Sequence, residues 1–210
     1  MSLTLVIGDK TYSSWSLRAA LALELAGAPY REVLIALNRA DTRSQILQHS
    51  PTGKVPLLVS EDGPVWDSLA IGEYLAERFA EAHLWPQDRA ARALARSVCA
   101  EMHSSFVALR THLPMDLKRD QALAEIPADA QADIQRICSL WAECRARFGQ
   151  GGDFLFGQAS LADAFFAPVA ARLRSYQVPL PAQAAAYVQT IYQWPAFQRW
   201  YQAAQEEHLG

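Results

Sequence analysis

Gly53-Lys54-Val55-Pro56-Leu57-Leu58, followed by Trp66-Asp67-Ser68-Leu69-Ala70-Ile71, is the stretch on which the reading of this chain turns. The first half reads as a strand opening on a proline, a residue that cannot donate to the ladder and is tolerated at a strand's first position or on an edge. Val55, just upstream, can then offer its own N–H and C=O to something outside the sheet. The second half reads as Asp67-Ser68 at the start of a helix, after a short strand and an Asp62-Gly63 turn. Helix starts attract anions because their N–H groups are unpaired and the dipole is positive there. An open backbone edge beside such a helix start suits a small peptide that carries carboxylates.

The surrounding pattern gives this stretch a place. Residues 3–7 read as an apolar strand, Gly8 to Ser14 as a polar loop, and the following Ala- and Leu-rich run as a helix ending near Gly27. A second strand is expected over Tyr30 to Leu37, a helical stretch around Arg43 to His49, strands at Val55 to Val59 and Val65-Trp66, and a helix from Ser68 to about Phe79. The helix crossover between the first two strands predicts a parallel pair, and the tight turn predicts an antiparallel pair at the end. This order looks like a thioredoxin-type α/β domain over residues 1–80, followed by a linker at 81–88 that contains Pro86.

From 89 to 210 the pattern is helical only, which predicts an all-α C-terminal domain. Leu94, Val98, Met102, Phe106, Leu109 and Leu113 recur every three or four residues as one apolar stripe on a first long helix. Ile134, Ile137, Trp141, Cys144 and Phe148 form a second stripe, stopped by Gly149 to Gly152. Tyr187, Ile191 and Trp194 lead to a break at Pro195, and Phe197, Trp200 and Tyr201 continue in a last helix. Ser160-Leu161-Ala162-Asp163 reads as a capping box ahead of an apolar run, and is assigned to the fold rather than to a site.

The bulk numbers narrow the function classes. The chain has 210 residues, 51% of them hydrophobic, and a net charge of −3. That suits one or two domains with a sizeable core, and gives no basic face for nucleic acid. No apolar run approaches the roughly 20 residues that span a bilayer. Met1 to Ile7 lacks a basic leader and is expected to be a strand, not a signal peptide. Cys99, Cys138 and Cys144 form no C-x-x-C pair, which fits free thiols in a reducing cytoplasm. The five histidines lack the i, i+4 spacing of a helical zinc site, and there is no phosphate-binding glycine loop, so neither a metal nor a nucleotide is expected.

With these motifs in place, the chain resembles the soluble glutathione transferases along its whole length. In that family the bond matching Val55-Pro56 is cis, the valine backbone pairs with the cysteinyl part of glutathione, and the acid-serine pair matching Asp67 and Ser68 holds the γ-glutamyl end. The resemblance implies glutathione as co-substrate, a homodimer, a cytoplasmic location and a role in detoxification. Lys54 is placed to meet the glycyl carboxylate by a charge-assisted contact. His49, Arg39 and Arg43 are weaker candidates for the same rim.

Conjugation needs a thiolate, and a free thiol with a pKa of about 8.5 is mostly protonated at neutral pH. A hydroxyl donor at a helix start stabilises the anion. The loop Tyr12-Ser13-Ser14-Trp15-Ser16-Leu17-Arg18 supplies four hydroxyls in five residues. It is similar to the zeta-class signature Ser-Ser-Cys-Ser-Trp-Arg. Ser13 falls on the family's catalytic serine, Ser14 on its neighbour, and Trp15 on the cysteine used in isomerising maleylacetoacetate. The order of preference for the thiol donor is Ser13, Ser14, then Tyr12. Arg18 is read as a structural ion-pair partner.

The second substrate is expected between the domains, against Trp15, Met102 and His103. Arg92, Arg96, Cys99 and His103 would run along a polar face opposite the apolar stripe, a basic wall that would favour anionic electrophiles. Three readings follow: a serine-type glutathione transferase, a zeta-like glutathione-dependent cis-trans isomerase, and a non-catalytic interaction module built on the same fold.

Overall fold

The computed structural model describes residues 3–208. Met1 and Ser2, read with the first strand, and the last two residues of the expected C-terminal domain lie outside the described residues. Strand β1 (Leu3–Ile7) is followed by α1 (Ser14–Leu25), β2 (Tyr30–Leu34), α2 (Thr42–Leu47), β3 (Leu57–Ser60), β4 (Gly63–Trp66) and α3 (Ser68–Arg78). The sheet order is β2-β1-β3-β4. β1 and β2 run parallel, while β1–β3 and β3–β4 are antiparallel, as the crossover and the turn require.

Several boundaries move for local reasons. β2 stops at Leu34 rather than Leu37, although Ile35 still donates its N–H to the Ile7 carbonyl at 2.9 Å. β3 begins at Leu57, so the ladder ends two residues after Val55, and the Val55-Pro56 bond is cis. The hairpin turn is Glu61-Asp62 rather than Asp62-Gly63, because Gly63, at φ +108°, already pairs with Ser60. Pro64 is tolerated in β4 because that strand is the sheet's edge.

A one-turn 3-10 helix (Ala80–Ala82) opens the expected linker, and helices alone follow: α4 (Arg89–Ser104), α5 (Val107–His112), α6 (Ala128–Phe148), α7 (Leu161–Ser175), α8 (Ala182–Gln193) and α9 (Pro195–Glu206). The first apolar stripe spans two helices, not one. Phe106 adopts a left-handed conformation at φ +60°, which ends α4 and re-aims the chain into α5. Phe106, Leu109 and Leu113 still reach the core, so the hydrophobic period survives the break.

α7 is the axle of the molecule. Fourteen of its residues are buried, and it packs on α1, α4 and α8. Gly72 of α3 lies close against Leu161 at its start, leaving no room for a larger side chain without displacing that leucine. Asp163 anchors the helix from inside. Its carboxylate accepts from the N–H groups of Leu155 (3.1 Å) and Ser160 (2.9 Å), and from the hydroxyls of Ser160 (3.0 Å) and Tyr187 (2.9 Å). Burial outweighs these four donors and pushes its pKa up to about 6.

Candidate active site

The β1–α1 loop is set by three separate tethers. Asp9 accepts the N–H groups of Tyr12 and Ser13 at its carbonyl, turning the chain into α1. Trp200 of α9 donates from its ring N–H to the Lys10 carbonyl at 3.0 Å. Glu207, just beyond α9, accepts from the N–H groups of Lys10 (2.8 Å) and Thr11 (2.9 Å) and from the Thr11 hydroxyl (2.8 Å). Glu207→Ala removes all three of these bonds at a half-buried position. It is expected to cost about 1–2 kcal/mol of stability and to speed hydrogen exchange in residues 10–13, measured by thermal unfolding and exchange mass spectrometry.

The two leading serines, both buried, have different occupations. Ser13 caps α1: its hydroxyl accepts from Ser16 N–H at 3.3 Å and donates to Ser16 Oγ at 2.7 Å. Its proton is therefore used inside the loop. Ser14 Oγ meets Nη2 of Arg172, on α7, at 3.4 Å. A guanidinium has no acceptor, so Ser14 accepts in that contact and its own proton is free to point elsewhere. Tyr12 is exposed and lines a separate groove with Asp9, Leu37, Asn38 and Arg39.

Across the domain boundary, Trp15 meets His103 of α4 edge-on, with ring centroids 5.1 Å apart. His103 Nε2 lies 3.3 Å from Asp67 Oδ2. Desolvation lowers the His103 pKa, against the opposing pull of Asp67, and nearby Arg18 and Arg110 lower it further. Asp67 caps α3 by accepting Leu69 N–H at 2.8 Å, and does so at φ +74°, a conformation that costs a non-glycine residue on the order of 1–3 kcal/mol. Beside it, Ser68 Oγ is buried and, among the described residues, has no hydrogen-bond partner. Lys54 is exposed in the loop ahead of Val55.

Several expectations about the second-substrate side are corrected. Met102 is fully buried in the core and contributes only its carbonyl, which accepts from Arg110. Cys99 is also fully buried, and desolvation drives its thiol pKa well up, so it belongs to no polar face. Arg92 donates to the carbonyls of Pro86 and Gln87, and Arg96 pairs with Glu73 and sits over Trp85. These arginines line a shallow cavity of about 380 Å³ with Glu73 and Trp85, not with the serine loop.

Arg18 is no ion-pair partner. It is completely buried, its guanidinium lies over the rings of Trp15 (4.5 Å) and Phe165 (5.1 Å), and none of its three nitrogens has a hydrogen-bond partner among the described residues. The positive charge near the serines comes instead from Arg18, Arg110 and Arg172. Arg110 stands 5.1 Å from the Trp15 ring and bonds the carbonyls of Met102 and Ser105. Burial lowers all three pKa values, that of Arg172 to about 9; repulsion from neighbouring arginines adds to the effect at Arg18 and Arg172, while Asp133 opposes it at Arg110. Every hydrogen-bond acceptor these arginines find is a neutral oxygen. Arg110 and Arg172 were missed in the sequence. The legible signal was Arg172, a charge inside the otherwise apolar run from Ala164 to Leu173.

The comparisons with known proteins agree with this fold. The N-terminal domain model of the glutathione S-transferase family matches residues 12–78 and its C-terminal domain model matches residues 119–203. The chain belongs to that family. It is 28% identical over 203 residues to glutathione S-transferase Z2 of Arabidopsis thaliana, covering 90% of this chain and 88% of the relative. It is 37% identical over 147 residues to the maleylacetoacetate isomerase of Rhizobium meliloti, covering 70% of this chain and 56% of the relative. Among solved structures, a glutathione transferase homologue from sulfitobacter with bound glutathione superposes with a TM-score of 0.66 at 25% identity, covering 94% of this chain and 96% of that one.

Proposed function

We propose that this chain is a glutathione transferase in which a serine at the start of α1 holds the thiol as thiolate for attack on a small electrophile. The observation that carries the reading is the buried, unpartnered Ser68 Oγ at the start of α3, next to Asp67 in its strained conformation. A buried hydroxyl without a partner costs free energy that a bound ligand recovers. Here the ligand is the γ-glutamyl end: Ser68 and the α3 N–H groups receive its carboxylate and Asp67 its ammonium. Val55, outside the ladder, pairs with the cysteinyl backbone, and Lys54 meets the glycyl carboxylate. The thiol then reaches the serine pair. Ser14, whose proton is uncommitted, donates to the sulfur, while Ser13 maintains the helix cap. The thiol proton leaves to solvent, a sulfur lone pair forms the S–C bond, and the leaving group departs with its bonding pair.

Titration calorimetry tests the binding half. Hydrogen bonds to charged groups contribute about 1.5–3 kcal/mol, so Ser68→Ala and Asp67→Asn are each expected to weaken glutathione binding about 10- to 100-fold. Asp67→Asn keeps a capping oxygen and a side chain that tolerates positive φ, so its loss reports the charge. No binding by folded wild-type protein would refute the transferase reading and leave the interaction module.

The isomerase reading has one observation of its own. Arg18, Arg110 and Arg172 carry charge that no carboxylate neutralises through a hydrogen bond, which suits a substrate with acid groups. Trp15 in place of the zeta-class cysteine weighs against it. The transferase reading also carries a division into domains at 81–88, a homodimer and a cytoplasmic location, which limited proteolysis, light scattering and cell fractionation check. Among the described residues no group of three or more His, Cys, Asp or Glu is arranged to hold a metal, and no helix is long and apolar enough to cross a membrane.

A further inference from the structure

The contact between Ser14 and Arg172 joins two helices from opposite halves of the chain, 158 residues apart. Arg172 is anchored on its own helix, where Nη1 donates to the Pro168 carbonyl at 3.3 Å, and its buried Nε has no hydrogen-bond partner among the described residues. A guanidinium kept so far from water, on a helix whose other buried residues are apolar apart from Asp163 and Ser175 near its two ends, requires a reason. Among the described residues, its one hydrogen bond to another side chain is the one to Ser14.

We infer that Arg172 is the positioning residue of the thiol site: by donating to the Ser14 oxygen it turns the serine proton toward the bound sulfur. This rests on the reading of the chain as a glutathione transferase. The donation occupies one of the two lone pairs on Ser14 Oγ and turns the hydroxyl proton away from the guanidinium, toward the sulfur. In that orientation the serine donates, and the ionised sulfur gains more from the donation than the neutral thiol does. Polarisation by the guanidinium strengthens the same bond. Arg172 never touches the substrate in this account; it acts through Ser14. At 3.4 Å the bond is long, as such contacts often are before substrate binds.

The charged and titratable groups that act on Arg172 are Arg110 on α5 and Tyr176 at the end of α7, and Arg172 in turn acts on Arg18 of α1, which also faces Cys99 and His103 on α4 and Asp67 at the start of α3. Arg18 and Arg110 add to the positive field, so Arg172 supplies direction where they supply charge. Removing Arg172 therefore weakens thiolate formation without abolishing it.

The test uses the thiolate's ultraviolet absorbance in the binary complex, titrated with pH. Arg172→Met fills the space without a donor, and such replacements of buried charge are commonly tolerated. The expected result is a glutathione Kd within twofold of wild type, a bound-thiol pKa raised by about one unit, and kcat/KM about tenfold lower near pH 7. Arg172→Lys restores most of the shift. In the Ser14→Ala background, Arg172→Met adds nothing, because its effect runs through the serine. If Arg172→Met does not fold, Arg172→Gln, which keeps a donor and drops the charge, takes its place with the same expected pKa shift at smaller amplitude. A thiol that titrates as in wild type, or losses that add across the two sites, would overturn the role of Arg172 while leaving the glutathione site standing. Absence of glutathione binding by wild type would overturn both.

Discussion

Ser14→Ala is expected to give a folded protein that binds glutathione near wild-type affinity and conjugates electrophiles about 100-fold more slowly, the usual loss when one hydrogen-bond donor to a reacting anion is removed. The physical ground is the division of labour between adjacent hydroxyls. Ser14 has only an arginine donor as neighbour, so its proton is available. Ser13 has both its roles filled by Ser16. Ser13→Ala should accordingly lower stability by about 1 kcal/mol through the lost cap. Steady-state kinetics beside thermal unfolding separates the two. If Ser13→Ala abolishes turnover while Ser14→Ala leaves it intact, the assignment is reversed, and Ser13 must exchange Ser16 for the sulfur on binding.

The largest expected effect on stability lies far from the chemistry. Asp163→Ala strands two N–H groups and two hydroxyls in a fully buried position. It should cost about 3–5 kcal/mol, lowering the melting temperature by on the order of 10 °C in a chain of this size. The pH dependence carries its own signature. The folded carboxyl titrates near 6 against an ordinary 3.8. Between about pH 4 and 6 the native chain therefore keeps a proton that the unfolded chain has released. This group's contribution to stability falls as pH rises through that window. Asp163→Asn removes the titration, so its stability plotted against pH should lack that slope. An unchanged slope in the variant would show that the slope comes from other groups.

Much of this was legible before any coordinates, because it rests on local rules. The parallel and antiparallel pairs follow from connection length, and the capping box at Ser160 and the stop at Gly149 follow from side-chain chemistry within a few residues. Asp67, Ser68, Val55 and the serine loop were found because their motif is contiguous. What escaped depends on distant residues meeting. The α4 stripe hid its break because Phe106 keeps the apolar period while its backbone turns left-handed. Arg92 and Arg96 looked like a basic wall until Glu73 and the Pro86 carbonyl were seen to engage them. Arg110 and Arg172 sit far along the chain from Trp15 and Ser14, and no spacing rule connects them.

The latch at Glu207 has a consequence for how the protein is made. The loop that presents the serines is synthesised long before the carboxylate that fastens it, which lies 197 residues further along the chain from Lys10. Domains fold as they leave the ribosome, N-terminal first. The sheet and α1 can therefore assemble early, but the loop gains its third tether only once Glu207 has emerged. A polypeptide that stops between Trp200 and Glu207 keeps most of its core and the other tethers while residues 10 and 11 lose this latch. Chains that stop short of Glu207 are in this way distinguished from those that include it by the mobility of residues 10–13.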